Sequence, residues 1–208
     1  SKKKENLPTG TCLILVTPDS ERTMCTFLGV AGQINEKDVN DNAVKKSEII
    51  FLEGYLWDEG EPKKAFEKAI NCANKVAMSL SDKFCVDRHK THFFDLVKNK
   101  LDITFANEDE MMSLINAKDF KEVLTFAKEI KKLLIITRGE KGAISIKGDE
   151  VIEVGIKKNL NIVDLTGAGD LFAAGYLHGL INNFKQRECL EKGTEMSSKV
   201  IQQFGARI

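Results

Sequence analysis

The chain has 208 residues, 42% of them hydrophobic and 30% charged, which suits one α/β domain or one and a half with a real core. Thirty-one basic residues against 31 acidic ones give a formal net charge of zero, which disfavours a generic nucleic-acid binder. The longest apolar runs, such as Cys12-Leu13-Ile14-Leu15-Val16, fall far short of the ~20 residues of a membrane span, and plentiful apolar residues with few prolines argue against disorder.

In chain order, residues 11–17 and 22–28 are β-rich runs separated by Pro18-Asp19-Ser20-Glu21, and they read as a hairpin. Strand–helix alternation follows. Short apolar runs at 48–52, 83–86, 102–106 and 132–136 predict strands, with helices at about 62–80, 89–99 and 108–130 between them. The first of these helices places Ala65, Phe66, Ala69, Ala73, Val76, Ala77 and Leu80 on one stripe. Strands at 143–147 and 150–154 joined by Gly148-Asp149, a short strand at 161–163, and helices at about 167–184 and 187–203 complete the chain. The fold class is α/β, a mostly parallel sheet with helices on both faces.

The five cysteines, with no Cys-x-x-Cys spacing, fit reduced thiols in a cytoplasmic protein better than a zinc site or a bridge between Cys12 and Cys25 across the hairpin. The first ten residues show no signal-peptide pattern. His89 and His92 lack an obvious third metal ligand and read as surface or helix-start residues, and His178 as a partly buried packing residue. Gly175-x-x-x-Gly179 reads as a close helix contact, and Tyr55 and Trp57 as ligand contacts or core.

Polar residues stand at the carboxyl ends of the predicted strands: Glu53, Asp87, Asn107, Thr137 and Asp164. In open α/β sheets ligands bind outside those ends, so five in register suggest the rim of a crevice, although any one of them is ordinary turn chemistry.

The sharpest signal is Asp164-Leu-Thr-Gly-Ala-Gly-Asp170, which follows a predicted strand and opens an apolar helix. It lacks the Lys-Ser/Thr of a P-loop, and Phe172 stands where a dinucleotide fingerprint needs a small residue. What remains is a small-residue turn whose backbone N–H groups leave a helix N-terminus beside a carboxylate. That suits an anion, notably a phosphoryl group, with Asp170 placed to take a proton from a hydroxyl. These residues alone leave open the alternative that Thr166 or Asp170 merely caps the helix.

Thr166-Gly-Ala-Gly-Asp170, with Leu171, Phe172, Ala174-Gly175 and Gly179-Leu180, resembles the C-terminal signature of the ribokinase family, the phosphofructokinase-B-type carbohydrate kinases. The family's Asn-x-x-Glu motif is matched by Asn107 to Glu110, its Thr-x-Gly-x-x-Gly loop by Thr137 to Gly142, and its small-residue ending by Phe204 to Arg207. Leu52 to Trp57 and Phe84 to His89 look like the adenosine-kinase-like branch.

The resemblance implies an ATP-dependent kinase that phosphorylates a primary hydroxyl of a sugar or ribonucleoside. Asp170 would be the base, and the backbone amides of Gly167, Ala168 and Gly169 the anion hole. Glu110 with Asn107 would organise Mg²⁺-bound phosphates through water. Thr137, Gly139 and Gly142 would hold the nucleotide, with Thr194 or Ser198 near the base. Asp164 and Thr166 match positions that bind a monovalent cation, K⁺, in some members. Residues 11–30 would be half of a β lid, and 31–208 a partial ribokinase-like domain. The family's opening strands and Gly-Gly acceptor motif do not precede Ser1, so about the first third of a usual member is expected to be missing. A missing N-terminal segment or a homodimer partner would then complete the acceptor side. The alternatives are a catalytically silent nucleotide-binding remnant, a fructokinase- or ribokinase-type substrate, or a purely structural α/β module. No nucleic-acid or membrane partner is expected.

Overall fold

The computed structural model describes residues 7–57 and 60–208. Its central sheet has six strands in sequential order: β3 (Ile50–Glu53), β4 (Val76–Ser79), β5 (Ile103–Asn107), β6 (Leu133–Thr137), β7 (Ala143–Lys147) and β8 (Glu150–Val154). The first four are parallel, and β7 and β8 return antiparallel. A separate two-stranded antiparallel sheet, β1 (Thr9–Val16) with β2 (Arg22–Gly29), is the expected hairpin.

Seven α-helices among the described residues complete the architecture: α1 (Asp41–Lys46), α2 (Glu61–Cys72), α3 (Lys83–Asp95), α4 (Glu108–Ile115), α5 (Phe120–Ile130), α6 (Ala168–Ile181) and α7 (Gln186–Val200). Alternate strand residues divide the core into two layers. Val76, Met78, Leu134 and Ile136 pack with Phe66, Phe93, Leu114 and Val123 of α2–α5, whereas Ala77, Leu133 and Ile135 pack with Phe172, Tyr176 and Leu190 of α6 and α7. The strands are thus covered on both sides, which is why their runs are apolar without alternation.

Two predicted elements are corrected. Residues 83–86 form the first turn of α3, capped by the Asp82 carboxylate accepting from the Cys85 N–H at 2.6 Å. The second strand is instead Val76–Ser79, where the helical stripe predicts the end of a helix over 62–80; α2 stops at Cys72, and Ala73 is already extended. Asp87 consequently lies on α3, ion-paired with Lys83 at 2.8 Å, and not at a strand end. Residues 161–163 join no sheet, and the 108–130 helix is broken at Asn116, which takes a left-handed conformation.

The cysteines are free, and pairing of Cys12 with Thr26 and of Cys25 with Leu13 puts the two thiols on opposite faces of the hairpin. His178 is exposed, edge-on to Phe184, rather than packed inside, and His89 is buried at a kink in α3. Trp57 is core, edge-on to Phe66. Helices α6 and α7 approach closely: a Cβ on Gly175 would stand 2.6 Å from the Lys192 carbonyl oxygen, and one on Gly193 2.9 Å from that of Phe172. No described helix is long and apolar enough to cross a membrane.

Candidate active site

The parallel strands end together. Glu53 lies opposite Ser79, and Asn107 opposite Thr137, so β3, β5 and β6 deliver Glu53, Asn107 and Thr137 to one rim. Ser79, with Ser81 just beyond it, takes the place expected for Asp87.

The 165–170 turn crosses above this rim. Gly167 has φ +79°, and a Cβ there would stand 2.8 Å from the Ala206 side chain, so both conformation and packing demand glycine. The Ala168 N–H turns back to the Leu165 carbonyl at 3.2 Å, and the first helical bond runs from Leu171 N–H to the Gly167 carbonyl. Among the described residues, the N–H groups of Gly167, Gly169 and Asp170 are left without an acceptor, at the positive end of the 14-residue α6. The free donors are therefore shifted from the expected set: Asp170 supplies one in place of Ala168. The Asp170 carboxylate is exposed and accepts no hydrogen bond from the described residues.

Two cavities meet at this turn. The larger, of about 810 Å³, is lined by Thr137, Gly139, Gly142, Ala168, Gly169, Thr194 and Ser198. The smaller, of about 270 Å³, is lined by Glu53, Asn107, Glu110, Thr137, Thr166, Gly167, Gly169 and Asp170. Thr137 and Gly169 border both. Every residue to which the family resemblance assigns a site role lines one or the other, except Asp164.

A model of the pfkB family carbohydrate kinases matches residues 1–208. The chain belongs to the pfkB family. Among solved structures it superposes on adenosine kinase from Sinorhizobium meliloti with a TM-score of 0.93 and 38% identity, over 97% of this chain and 63% of that one. A probable sugar kinase from Rhizobium etli gives 0.95 and 38%, over 99% and 64%. A cytidine kinase from Thermococcus kodakarensis is 35% identical over 52% of this chain and 40% of its own length. Adenosine kinase from Dictyostelium discoideum is 28% identical over 97% of this chain and 64% of its own length. This pfkB chain thus spans just under two thirds of the adenosine kinases it matches.

In the smaller cavity of this pfkB chain, acid predominates. Glu110 is buried and bonded to Asn107 in a reciprocal cap: its oxygens accept from the Asn107 N–H at 2.9 Å and side-chain amide at 2.6 Å, while the Asn107 side chain accepts from the Glu110 N–H at 2.8 Å. Burial, with the nearby negative charges of Asp82, Glu53 and Asp109, pushes its carboxyl up to about 7 despite the Asn107 N–H. Glu53 accepts from Ser81, and burial, aided by the charge of Asp170, raises its carboxyl too. Such oxygen-rich, cation-deficient surroundings fit a hard divalent ion. Among the described residues no three His, Cys, Asp or Glu side chains are gathered for direct chelation, so an ion here would take most of its ligands from phosphate and water.

Asp164 and Thr166, the residues of the K⁺ expectation, are bonded to each other. Asp164 Oδ1 accepts from the Thr166 N–H at 2.8 Å and hydroxyl at 2.6 Å, and Oδ2 from the Gly205 N–H at 2.9 Å. Burial opposes its ionisation, but these three donors prevail and hold the carboxyl below its usual range.

Sequence reasoning missed Arg22 of β2, the only basic residue lining the smaller cavity among those described, and Ser81 beside Glu53. It also missed Ile156 and Ile162, which line the larger cavity from the 155–163 loop. Two half-exposed isoleucines within a polar loop were the available signal.

Proposed function

We propose that this chain carries the nucleotide and phosphoryl-transfer half of an ATP-dependent kinase acting on a primary hydroxyl of a ribonucleoside or sugar. The observation that carries this reading is the meeting of a nucleotide-sized cavity and a smaller acidic one at the N–H groups of Gly167, Gly169 and Asp170, with a free carboxylate facing the smaller. ATP would lie along Thr137, Gly139 and Gly142 with its base toward Thr194 and Ser198, and its γ-phosphate at the turn.

Asp170 would take the acceptor's hydroxyl proton as the new O–P bond forms and the bond from γ-phosphorus to the β–γ bridging oxygen breaks, releasing ADP. The turn's N–H groups receive the charge on the transferring group in a fixed geometry. Mg²⁺, when bound with the nucleotide, neutralises phosphate charge; Glu110 and Asn107 are the residues that would hold it, through water. Residues 11–30 would act as a lid, bringing Arg22 and Met24 over the acceptor. The adenosine and cytidine kinases among the relatives support a nucleoside acceptor.

The test is ADP release from Mg·ATP with adenosine, cytidine or ribose. Acceptor-stimulated release that Asp170→Asn reduces about 10²- to 10⁴-fold, with nucleotide affinity retained, is the expected result. A second reading is a catalytically silent nucleotide-binding protein. It predicts nucleotide binding without acceptor-stimulated release. Failure to bind nucleotide at all sinks both.

A further inference from the structure

We propose that Asp164 is a positioning residue and that it works by tying the end of the chain, Ile201 to Ala206, beneath the 165–170 turn as a brace. This rests on the phosphoryl-transfer reading given above and adds to it the element that aims the turn.

The brace has three attachments. The N–H groups of Val163 and Asp164 both donate to the Ile201 carbonyl, at 2.8 and 3.3 Å. The Asp164 carboxylate, on a residue only 2% exposed, joins Thr166 on one oxygen to Gly205 on the other, 41 residues away. Ala206 then fills the space under Gly167 so closely that a Cβ on Gly167 would stand 3.0 Å from its Cα.

A helix cap alone would need only the bonds to Thr166. The bond to Gly205 serves no cap, lies in no strand or helix, and joins the turn to the segment on which Gly167 rests. Ile201, at the root of that segment, also lines the larger cavity, so the brace connects the nucleotide wall to the anion donors. Near the reacting atoms a misplacement of about 1 Å costs about 10²-fold in rate, so what fixes the turn fixes catalysis.

The experiment is ¹⁵N NMR of the whole chain titrated with the non-hydrolysable ATP analogue AMP-PNP, together with amide hydrogen exchange. Asp164→Asn removes a carboxylate acceptor. Ala206→Val, at an exposed position, wedges the turn from below. In the wild type, AMP-PNP shifts the amides of Ser198, Gly167, Gly169 and Asp170. In both variants Ser198 still responds, with affinity within about threefold, while the response of the three turn amides collapses; where turnover is measurable, kcat falls about 10- to 100-fold at constant KM for ATP. Exchange at the Gly205 amide accelerates at least about tenfold in Asp164→Asn. Turn amides that respond in both variants as in the wild type, or a Gly205 amide already fast in the wild type, overturn the brace. A wild type in which AMP-PNP moves no cavity resonance overturns the nucleotide reading instead, with the Gly205 exchange still judging the brace.

Discussion

Arg138 donates from Nε to the Glu108 carboxylate at 2.9 Å, and the same guanidinium lies 3.9 Å above the centre of the Phe120 ring. Both side chains of the pair are about four-fifths buried. Arg138 sits in the Thr137–Gly142 loop and Glu108 beside the Asn107–Glu110 cap, so this contact holds the two motifs as one unit. Arg138→Ala should lower stability by roughly 1–2 kcal/mol and weaken ATP-analogue binding, and Arg138→Lys should not restore either, because a point charge loses the flat stacking surface. Denaturant melts and calorimetric titration of the three proteins check this.

Gly169 and Gly142 should respond oppositely to alanine. A Cβ on Gly169 meets nothing within 4 Å and points into open space where the two cavities join. Gly169→Ala should therefore leave stability unchanged or slightly raised, as alanine favours a helix start, while weakening nucleotide binding about tenfold or more. Gly142 has φ +89°, and its Cβ would stand 2.0 Å from the Val154 carbonyl oxygen. Gly142→Ala should cost at least about 2 kcal/mol of folding stability. Thermal melts beside binding isotherms separate the two outcomes.

The raised carboxyl of Glu110 makes stability fall as pH rises. In the folded chain it holds its proton up to about 7, against an ordinary value of 4.5. Stability is complete below about 4.5 and is lost as pH climbs through 7, by something on the order of 3 kcal/mol at most. Glu53 acts in the same direction, and the depressed Asp164 matters only near and below its ordinary 3.8. Melting at about pH 5 should thus exceed that at about pH 7.5, and Glu110→Gln should flatten most of the difference. An unchanged slope in that variant would refute the assignment.

Among the described residues Arg22 is the lone cation at an acidic cavity. Arg22→Ala should leave the fold within about 0.5 kcal/mol, because the residue is exposed, yet reduce acceptor-stimulated turnover about 10²-fold. Steady-state kinetics with parallel melts decide it; equal turnover in the variant would remove Arg22 from the site.

The chemistry-bearing turn was legible because glycines and a carboxylate at a helix start have few other uses together. The strand at Val76–Ser79 was not. Its apolar residues continue, by coincidence of phase, the stripe of Ala65, Phe66 and Ala69, so helical periodicity ran on past the point where Ala73 turns extended. With that strand hidden in the helical stripe, the apolar run Phe84-Cys85-Val86 mimics a strand, and the signal against it is Asp82, a helix cap. The shift in free donors from Ala168 to Asp170 depends on one turn hydrogen bond that no residue type announces. The role of Asp164 likewise depends on Gly205, which sequence distance hides.

The glycine-lined contact of α6 with α7 also bears on how mutations far from the turn will act. Gly175 lies seven residues into a helix that begins at Ala168, so about 10 Å separates that seam from the turn at the head of the helix. A methyl group added at the seam has no room sideways and must rotate or slide α6 as a rod, carrying its leading end with it. Variation in the middle of this helix pair should therefore re-aim the N–H groups of the 165–170 turn from a distance, like trimming a rudder from the tiller.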